Sequence, residues 1–198
     1  PIHKSIVSFS ADGVGKNDMA MSLDVAMQWS DAYSESVYTF ANVINTPTSN
    51  WYTDFAGGIK GYGGGTAFPD AAFGTAKFQR VSGTDAIELK SSVSNGLTIV
   101  TMPGHTSSDI KVNDPNNDLQ DGDIALACNF DHAAIFQITN VNTGVNVVHN
   151  NGTGTPGNCS KGLGYPTDCS GANGNAYDFG DNQPAVLAKL RATRWYVG

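Results

Sequence analysis

The sequence predicts an α+β fold, in which one modest helix precedes an antiparallel β-meander with large loops. The helix is predicted over residues 18–30, where apolar side chains recur at helical spacing. Two turn signals, Asn95-Gly96 and Asn142-Thr143-Gly144, lie between runs of strand-like composition and indicate hairpins. Residues alternate between two faces from Leu187 onward, which predicts a final strand.

Each element has its own local signal. Asn17 or Asp18 can act as N-cap of the helix, and the helical spacing is set by Met19, Leu23, Ala26, Met27 and Ser30. After residue 80, strand-like runs alternate with polar turns. The predicted strands lie in TDAIELK, LTIVTM, SSDIKV, DIALAC, HAAIFQITNV, VNVVHN and AVLAKLRATRWYV.

Length and composition favour one globular domain over residues 1–198. We predict a helix-containing N-terminal segment over 1–40, an aromatic- and glycine-rich loop over 41–80, and a β-sheet over 81–198. A long loop, 150–183, interrupts the sheet and carries two of the cysteines. Only 15% of the residues are charged and 23 are Gly, which is typical of an ordered, loop-rich protein rather than a disordered one.

Charge and hydropathy exclude several classes of partner. The formal net charge is −7, and no basic stripe is present, so we predict binding neither to nucleic acid nor to an anionic membrane surface. No apolar run approaches the length of a membrane-spanning helix. The sequence starts at Pro1 without a signal peptide, so we expect a mature, processed or excised chain.

The three cysteines predict one disulfide. Cys159 and Cys169 bracket an irregular loop with Gly and Pro, which favours a bond between them and an oxidising compartment. In the chain-entropy model, a disulfide that closes so small a loop adds about 2.5–3 kcal/mol to the free energy of unfolding. Cys128 is then either a buried thiol or half of a bridge whose partner is outside this chain.

Motifs for cofactors and metals are weak. ADGVGK at 11–16 lacks the first glycine and the final hydroxyl residue of a phosphate loop, so no nucleotide cofactor is predicted. The segment 114–123 clusters Asp114, Asp118, Asp121 and Asp123, but it lacks the central glycine and closing glutamate of a calcium loop. Weak calcium binding there remains open beside the interpretation as a solvated turn. The four histidines show no zinc spacing, so no metal is predicted.

No catalytic pattern is complete either. No GxSxG motif occurs, and because Glu35 and Glu88 are the only glutamates, a pair of catalytic carboxylates would have to be mostly Asp. A nucleophilic pair of Cys128 with a histidine stays open, because such partners meet in space rather than in sequence. Cys128 ends an apolar strand, however, where cysteine usually acts as a small hydrophobic residue. We therefore predict a protein that is not an enzyme.

Ten aromatic residues in the first half of the chain fit either of two roles. They could line a sugar-binding face, or they could anchor a glycine-rich loop in the core, which is the commoner use. The residues are Trp29, Tyr33, Tyr38, Phe40, Trp51, Tyr52, Phe55, Tyr62, Phe68 and Phe73. Two glycosylation patterns are present, at Asn151 and Asn158, but this short pattern is frequent by chance.

Several motifs, taken in order, resemble a known family. NWYTDFAGGIKGYGGGTAFP followed by VSGTDAIELK, then DGDIALACNFDHAAIFQITNV, VVHNNGTGTPGN with LGY, and LAKLRATRWYVG resemble successive segments of PilW-type minor pilins of type IV pili. The resemblance covers residues 41–198, and the order of the motifs is more specific than any one of them. Residues 1–40 match none of it, the family's leader and apolar N-terminal helix are absent, and Cys169 is unusual for the family.

The resemblance implies a pilin-like antiparallel β-sheet meander with a short N-terminal helix and long loops. It implies a non-catalytic subunit for pilus assembly, located at the cell-surface pilus and in the periplasm, anchored in the inner membrane before assembly. The implied partners are other minor pilins, a tip adhesin and the major pilin filament, and the membrane is contacted only through the absent helix. We expect the loops 41–75 and 150–183 to be partner surfaces.

The resemblance also assigns roles to single residues. It places Asp121-Gly122-Asp123 at the turn before a central strand and makes Cys128 structural. Gln137 and Thr139 would then face outward, and His132 would be a surface or edge residue. Two alternatives remain beside the pilin interpretation: a secreted β-rich carbohydrate-binding or adhesin module, and an enzyme that uses Cys128 with a histidine.

Overall fold

The computed structural model describes residues 39–45, 50–53, 55, 59–93, 95–104, 107–181 and 183–198. In these ranges the chain forms ten strands and no helix. The strands are β1 (Thr39–Asn42), β2 (Ile59–Tyr62), β3 (Ala86–Val93), β4 (Thr98–Thr101), β5 (Asp109–Val112), β6 (Ile124–Cys128), β7 (His132–Gln137), β8 (Asn140–Asn142), β9 (Asn146–Val148) and β10 (Ala185–Tyr196).

The predicted α+β fold class, a pilin-like sheet with a short N-terminal helix, is wrong. The part of the chain that the structure describes is β-sheet, and the helix predicted over 18–30 lies outside it. The α part of the fold class depended on one amphipathic pattern, whereas the later strands are indicated by alternating or continuous apolar runs. Among the described residues, none belongs to a helix with the length and hydropathy needed to cross a membrane.

The described chain divides into two compact units, and β10 contributes to both. The larger unit contains 39–45, 92–93, 95–104, 107–181 and 183–191. Its strands follow the order β1-β7-β6-β10-β4-β5-β9-β8. β6 lies between β7 and β10, with Leu126 opposite Ile135 on one side and opposite Ala188 on the other. The turn at 121–123 does precede this central strand.

Burial explains why the sequence of β6 is an unbroken apolar run. Its residues 124–127 are all buried, because both faces of the strand are covered. The large core cluster of the unit surrounds it and includes Phe136, Phe179, Ile110, Leu163 and Leu187, each at most 1% exposed. The unit therefore has a sheet with an interior of its own.

The order of strands is not the simple meander that was expected. β1 pairs in parallel with β7, and the last strand, β10, inserts between β6 and β4. Local sequence signals locate strands, but pairing between distant strands depends on long-range packing that no local pattern encodes. The meander was therefore the wrong topology for correctly located strands.

The two hairpin signals have different outcomes. Asn142-Thr143-Gly144 does join a hairpin, in which β8 and β9 pair antiparallel with Asn142 opposite Asn146. Gly144 has φ +73, and a Cβ there would lie 2.2 Å from the carbonyl oxygen of Pro115, so only glycine fits. The hairpin predicted at Asn95-Gly96 is wrong, because β3 pairs with β2 while β4 pairs with β5 and β10.

The smaller unit contains the described residues 50–53, 55, 59–91 and 192–198. Its β2 and β3 are antiparallel, with Tyr62 opposite Ala86. These two residues and Phe68 form a small buried cluster. The aromatic and glycine-rich segment predicted as loop over 41–80 thus contributes a strand to this unit.

Candidate functional site

The turn between β6 and β7 gathers the residues that the sequence singled out. Asn129 holds the turn: its Oδ1 accepts hydrogen bonds from the backbone N–H groups of Asp131 at 2.9 Å and His132 at 2.8 Å. Its Nδ2 donates to the hydroxyl of Tyr177 at 2.8 Å. Such a side chain fixes a turn by replacing the backbone partner that the turn lacks.

Cys128 lies at the start of this turn and is half-buried. Its thiol donates a weak hydrogen bond to the carbonyl oxygen of Asn129 at 3.4 Å. Burial raises the pKa of the Cys128 thiol above its ordinary value. Because the thiolate is the reactive form, this environment lowers the reactivity of Cys128 and matches a structural cysteine.

His132 packs rather than facing open solvent. Its ring stacks on Tyr177, with centroids 3.7 Å apart and an interplanar angle of 14°. Burial lowers the pKa of His132, and the nearby charge of Asp131 partly opposes that shift. The imidazole is thus mainly neutral near pH 7 and serves as one layer of an aromatic stack.

A second polar cluster is buried deeper, between β7 and the loop that follows β9. Gln137 is only 2% exposed, so the expectation that it faces outward is wrong. Its Nε2 donates to the carbonyl oxygens of Gly122 and Thr155 at 2.9 and 3.0 Å. Its Oε1 accepts the N–H of Gly157 at 2.6 Å. Loop residues therefore cover this side of β7, which alternation alone could not reveal.

Asn158 completes the cluster from the loop side. Its Oδ1 accepts the backbone N–H of Gln137 at 2.7 Å, and its Nδ2 donates to the backbone carbonyl of Gln137 at 2.8 Å. The same Nδ2 reaches the carbonyl of Asn150 at 3.1 Å. With 1% exposure, Asn158 is unsuited to glycosylation, because its amide is inaccessible and already bonded.

His149 precedes Asn150, whose carbonyl Asn158 contacts, and it is completely buried. Its backbone N–H donates to the carbonyl of Ser108 at 2.8 Å, and its ring centroid is 5.1 Å from that of Phe136. Among the described residues, neither ring nitrogen has a hydrogen-bond partner. Burial lowers the pKa of His149 to about 4, and the positive charge of Lys161 adds to the effect. The ring is a neutral core group at pH 7.

The loop after this cluster is cross-linked. A disulfide joins Cys159 to Cys169, which is the pairing that the sequence predicts. The backbone N–H of Cys159 donates to the carbonyl of Val43 at 2.8 Å, and this hydrogen bond connects the loop to the segment after β1. Tyr165 projects from the closed loop and is 58% exposed.

In the smaller unit, Arg194 is the centre of a charged and aromatic cluster. Its Nε donates to Glu88 Oε2 at 2.8 Å, and its guanidinium contacts both carboxylate oxygens of Asp70 at 2.8 and 2.9 Å. The guanidinium carbon also lies 4.0 Å from the ring centroid of Trp51 and 4.3 Å from that of Phe68. Partial burial acts to lower the pKa of Arg194, but the hydrogen bonds and charges of the two carboxylates together outweigh it and raise that pKa.

Arg80 is a second arginine of the same unit whose guanidinium is bound within the protein, but its partners are backbone carbonyl groups rather than carboxylates. Its guanidinium donates to the carbonyl oxygens of Tyr62, Gly63, Thr66 and Thr84. Four carbonyl partners fix the glycine-rich turn after β2 around one charged group. Sequence reasoning missed Arg80 and Arg194; their only signal was the rarity of arginine in a segment rich in aromatics.

The predicted aromatic face is mostly a packing surface. Phe55, Tyr62 and Phe68 are buried, Trp51 lies against Arg194, and Tyr52 alone of the described members is exposed, at 53%. Trp29, Tyr33 and Tyr38 lie outside the described residues, as does the side chain of Phe40, and Phe73 is half-buried. The arrangement therefore favours the structural role of these rings.

Three of the four carboxylates in the acidic segment 114–123 contact groups of this chain. Asp123 forms a 2.6 Å ion pair with Lys189, Asp121 accepts the N–H of Val141 at 2.8 Å, and Asp114 accepts the N–H of Asn116 at 2.8 Å. Across the described part of the chain, no group of three or more acidic, histidine or cysteine side chains converges as a metal site would require.

Comparison with known proteins gives a short similarity. A stretch of 45 residues is 56% identical to DNA gyrase B of Mycobacterium tuberculosis (strain ATCC 25618 / H37Rv), and a stretch of 46 residues is 52% identical to that of Mycobacterium leprae (strain TN). DNA gyrase B of Micrococcus luteus is 47% identical over 45 residues.

These matches cover 23% of this chain and 6% of each gyrase protein. The chain therefore spans about 6% of the length of the curated relatives that it matches. No protein-family model matches the chain, and no solved structure matches it. A similarity this short does not indicate a gyrase function for the whole chain.

Proposed function

We propose that this chain is a non-catalytic minor pilin subunit of type IV pilus assembly. In this role it acts in a priming or tip complex with other minor pilins and an adhesin. The proposal depends on the ordered motifs over 41–198, and it does not depend on the α+β fold, which is wrong for the described residues. Its position on the cell-surface pilus and in the periplasm is part of the same proposal.

One observation carries the proposal: several residues of the pilin-like motifs are buried, and three of them are joined in one hydrogen-bonded cluster. Gln137 comes from IFQITN, His149 from VVHN, and Gly157 and Asn158 from the following TPGN. Three of these four join through hydrogen bonds of 2.6–2.8 Å between β7 and the loop. Motifs whose polar members build the fold are typical of a scaffold, whereas catalytic motifs place polar groups where a ligand can reach them.

The cross-linked loop provides a surface for a partner. The disulfide closes it, and the N–H groups of Lys161 and Gly164 bond across it to the carbonyls of Ala172 and Asn175 at 2.9 and 2.8 Å. A loop ordered before binding loses little conformational entropy when a partner docks. Exposed Tyr165 is of the residue type enriched at the centre of protein interfaces.

The first test is the native gene's complete reading frame, above all its 5′ end. A short leader, then a Phe or Met as the first residue, a Glu as the fifth, and roughly 20 apolar residues would support the pilin proposal. An ordinary cleavable secretory signal that runs directly into Pro1 would contradict it, because the filament-packing helix would then be missing.

The second test addresses the assembly role directly. We expect deletion of the gene in its native host to reduce surface pili counted by electron microscopy, and the wild-type gene to restore them. A variant shortened at the tip of loop 161–176 should fold but fail to co-purify with other minor pilins. A matched variant shortened at the β8–β9 turn should still co-purify. Normal piliation without the gene would contradict the proposal.

A second function, a carbohydrate-binding or adhesin module, has one observation in its favour. Trp195 and Tyr165 are 67% and 58% exposed, and exposed rings are what sugars stack on. A glycan titration followed by tryptophan fluorescence tests it, with Trp195→Ala as the control for the responding ring. A flat titration would exclude sugar binding at Trp195.

A further inference from the structure

The chain contains three Asn-Gly pairs with different surroundings: Asn95-Gly96, Asn151-Gly152 and Asn173-Gly174. In such a pair the backbone nitrogen of the glycine can attack the side-chain amide carbon of the asparagine, because glycine adds no Cβ to obstruct the approach. Since the dipeptide is the same in each case, differences in reactivity must come from the structure.

Asn95-Gly96 is the unrestrained pair. Both residues are exposed in the turn between β3 and β4, and Gly96 has φ +79. Within the described part of the chain, neither the Gly96 N–H nor the Asn95 side chain forms a hydrogen bond. A Cβ placed on either Gly96 or Gly152 would meet nothing within 4 Å, so these two pairs are distinguished by their hydrogen bonds and not by the space around the glycine.

The other two pairs are held in place. The N–H of Gly152 donates to the carbonyl of Asn158 at 3.2 Å, and Asn151 forms a β-bridge with the same residue. Gly174 is packed so closely that a Cβ would lie 2.4 Å from Ser160 Oγ. Hydrogen bonds to the carbonyls of Ala172 and Asn175 fix the chain on either side of the third pair.

We propose that Asn95 is a site of spontaneous deamidation, and that the folded structure selects it over Asn151 and Asn173. The Gly96 nitrogen bonds to Cγ of Asn95, the Cγ–Nδ2 bond breaks, and ammonia leaves with the proton of the attacking N–H. Water then opens the succinimide at either carbonyl, which gives aspartate or isoaspartate. Nothing is oxidised or reduced, and the net exchange is one water for one ammonia.

The site is placed where the product matters. Deamidation adds one negative charge at position 95. When the product is isoaspartate, it also lengthens the main chain by one atom, two residues before buried Leu97. The carbonyl of Leu97 accepts the N–H of Leu187 at 3.0 Å, and the N–H of Thr98 donates to Asn113 Oδ1 at 2.8 Å. The modification thus acts at the start of β4, and it is independent of the pilus proposal.

The test compares the three pairs within one molecule. The disulfide-intact protein is incubated in mildly alkaline oxygen-18 water, and peptide mapping follows label incorporation at each asparagine. We expect Asn95 to react at least about tenfold faster than Asn151 and Asn173 in the folded protein. In denaturant with reductant, the three rates should become similar because the restraints are gone.

Asn95→Gln provides the matched variant, because its longer side chain cyclises slowly while the turn stays polar. It should lose the earliest acidic species on ion exchange and keep the wild-type melting temperature. Equal rates at the three asparagines of the folded protein, or a faster reaction at Asn151 or Asn173, would overturn the proposal.

Discussion

The side chain of Asn158 is hydrogen-bonded to both the backbone N–H and the backbone carbonyl of Gln137. An amide in this position occupies the place of a neighbouring strand, since it offers one acceptor and one donor at the spacing of a peptide group. Gln137 reciprocates by accepting the N–H of Gly157. The loop after β9 is therefore joined to the sheet by two side chains, each bonded to backbone on the opposite side.

Replacing this amide should be costly. We expect Asn158→Ala to lower the free energy of unfolding by about 2–4 kcal/mol, because it leaves the buried N–H and carbonyl of Gln137 without partners. Urea denaturation measures the loss. Asn151→Ala is the matched control from the same loop, and it should change stability by less than about 0.5 kcal/mol. Equal effects of the two substitutions would show that Asn158 does not substitute for a strand.

Arg194 should be irreplaceable even by lysine. Lysine keeps the charge but loses the planar fork that contacts Glu88 and Asp70 and lies over Trp51 and Phe68. We expect Arg194→Lys to lower the free energy of unfolding by about 1–3 kcal/mol, measured by urea denaturation with tryptophan fluorescence.

Arg191→Lys is the control for that substitution, because Arg191 is exposed on the same strand. It should alter stability by less than about 0.5 kcal/mol. If both lysine variants unfolded at the same urea concentration, the aromatic and carboxylate contacts of Arg194 would contribute nothing specific.

These contacts separate what the sequence can predict from what it cannot. β6 and β10 were predictable, because an apolar run and an alternating run are local patterns. The parallel pairing of β1 with β7 was not, since it joins distant segments. Alternation assigned Gln137 to the face opposite Phe136 but gave no sign that the loop bearing Asn158 covers that face.

The cysteines should respond differently to alkylation. Without reductant, peptide mapping should find Cys159 bonded to Cys169, and iodoacetamide should label Cys128 only after unfolding, because burial raises its thiol pKa. Reduction should lower the free energy of unfolding by about 2.5–3 kcal/mol through the loss of the closed loop.

Rapid labelling of Cys128 in the native protein would favour the enzyme hypothesis. A disulfide from Cys128 to either other cysteine would contradict the structure.

His149 should make the protein sensitive to acid. Its pKa is about 4 when folded, against 6.5 for an ordinary histidine, so the unfolded chain takes up its proton first as the pH falls. The stabilisation by neutral His149 is therefore complete above pH 6.5 and is lost progressively between pH 6.5 and about 4. The difference amounts to roughly 3 kcal/mol at most.

The measurement is urea denaturation at several pH values across that window, on the wild type and on His149→Leu. The leucine variant has no imidazole to protonate, so its free energy of unfolding should fall less steeply as the pH is lowered. The difference in slope should correspond to the uptake of about one proton. The positive charge of Lys161 disfavours protonation of His149, so Lys161→Gln should raise the folded pKa slightly and make the total loss smaller. His132→Gln is the comparison, because half-buried His132 has its shift opposed by Asp131 and should affect the slope less. Identical pH profiles for wild type and His149→Leu would mean that the buried ring is not the acid-sensitive group.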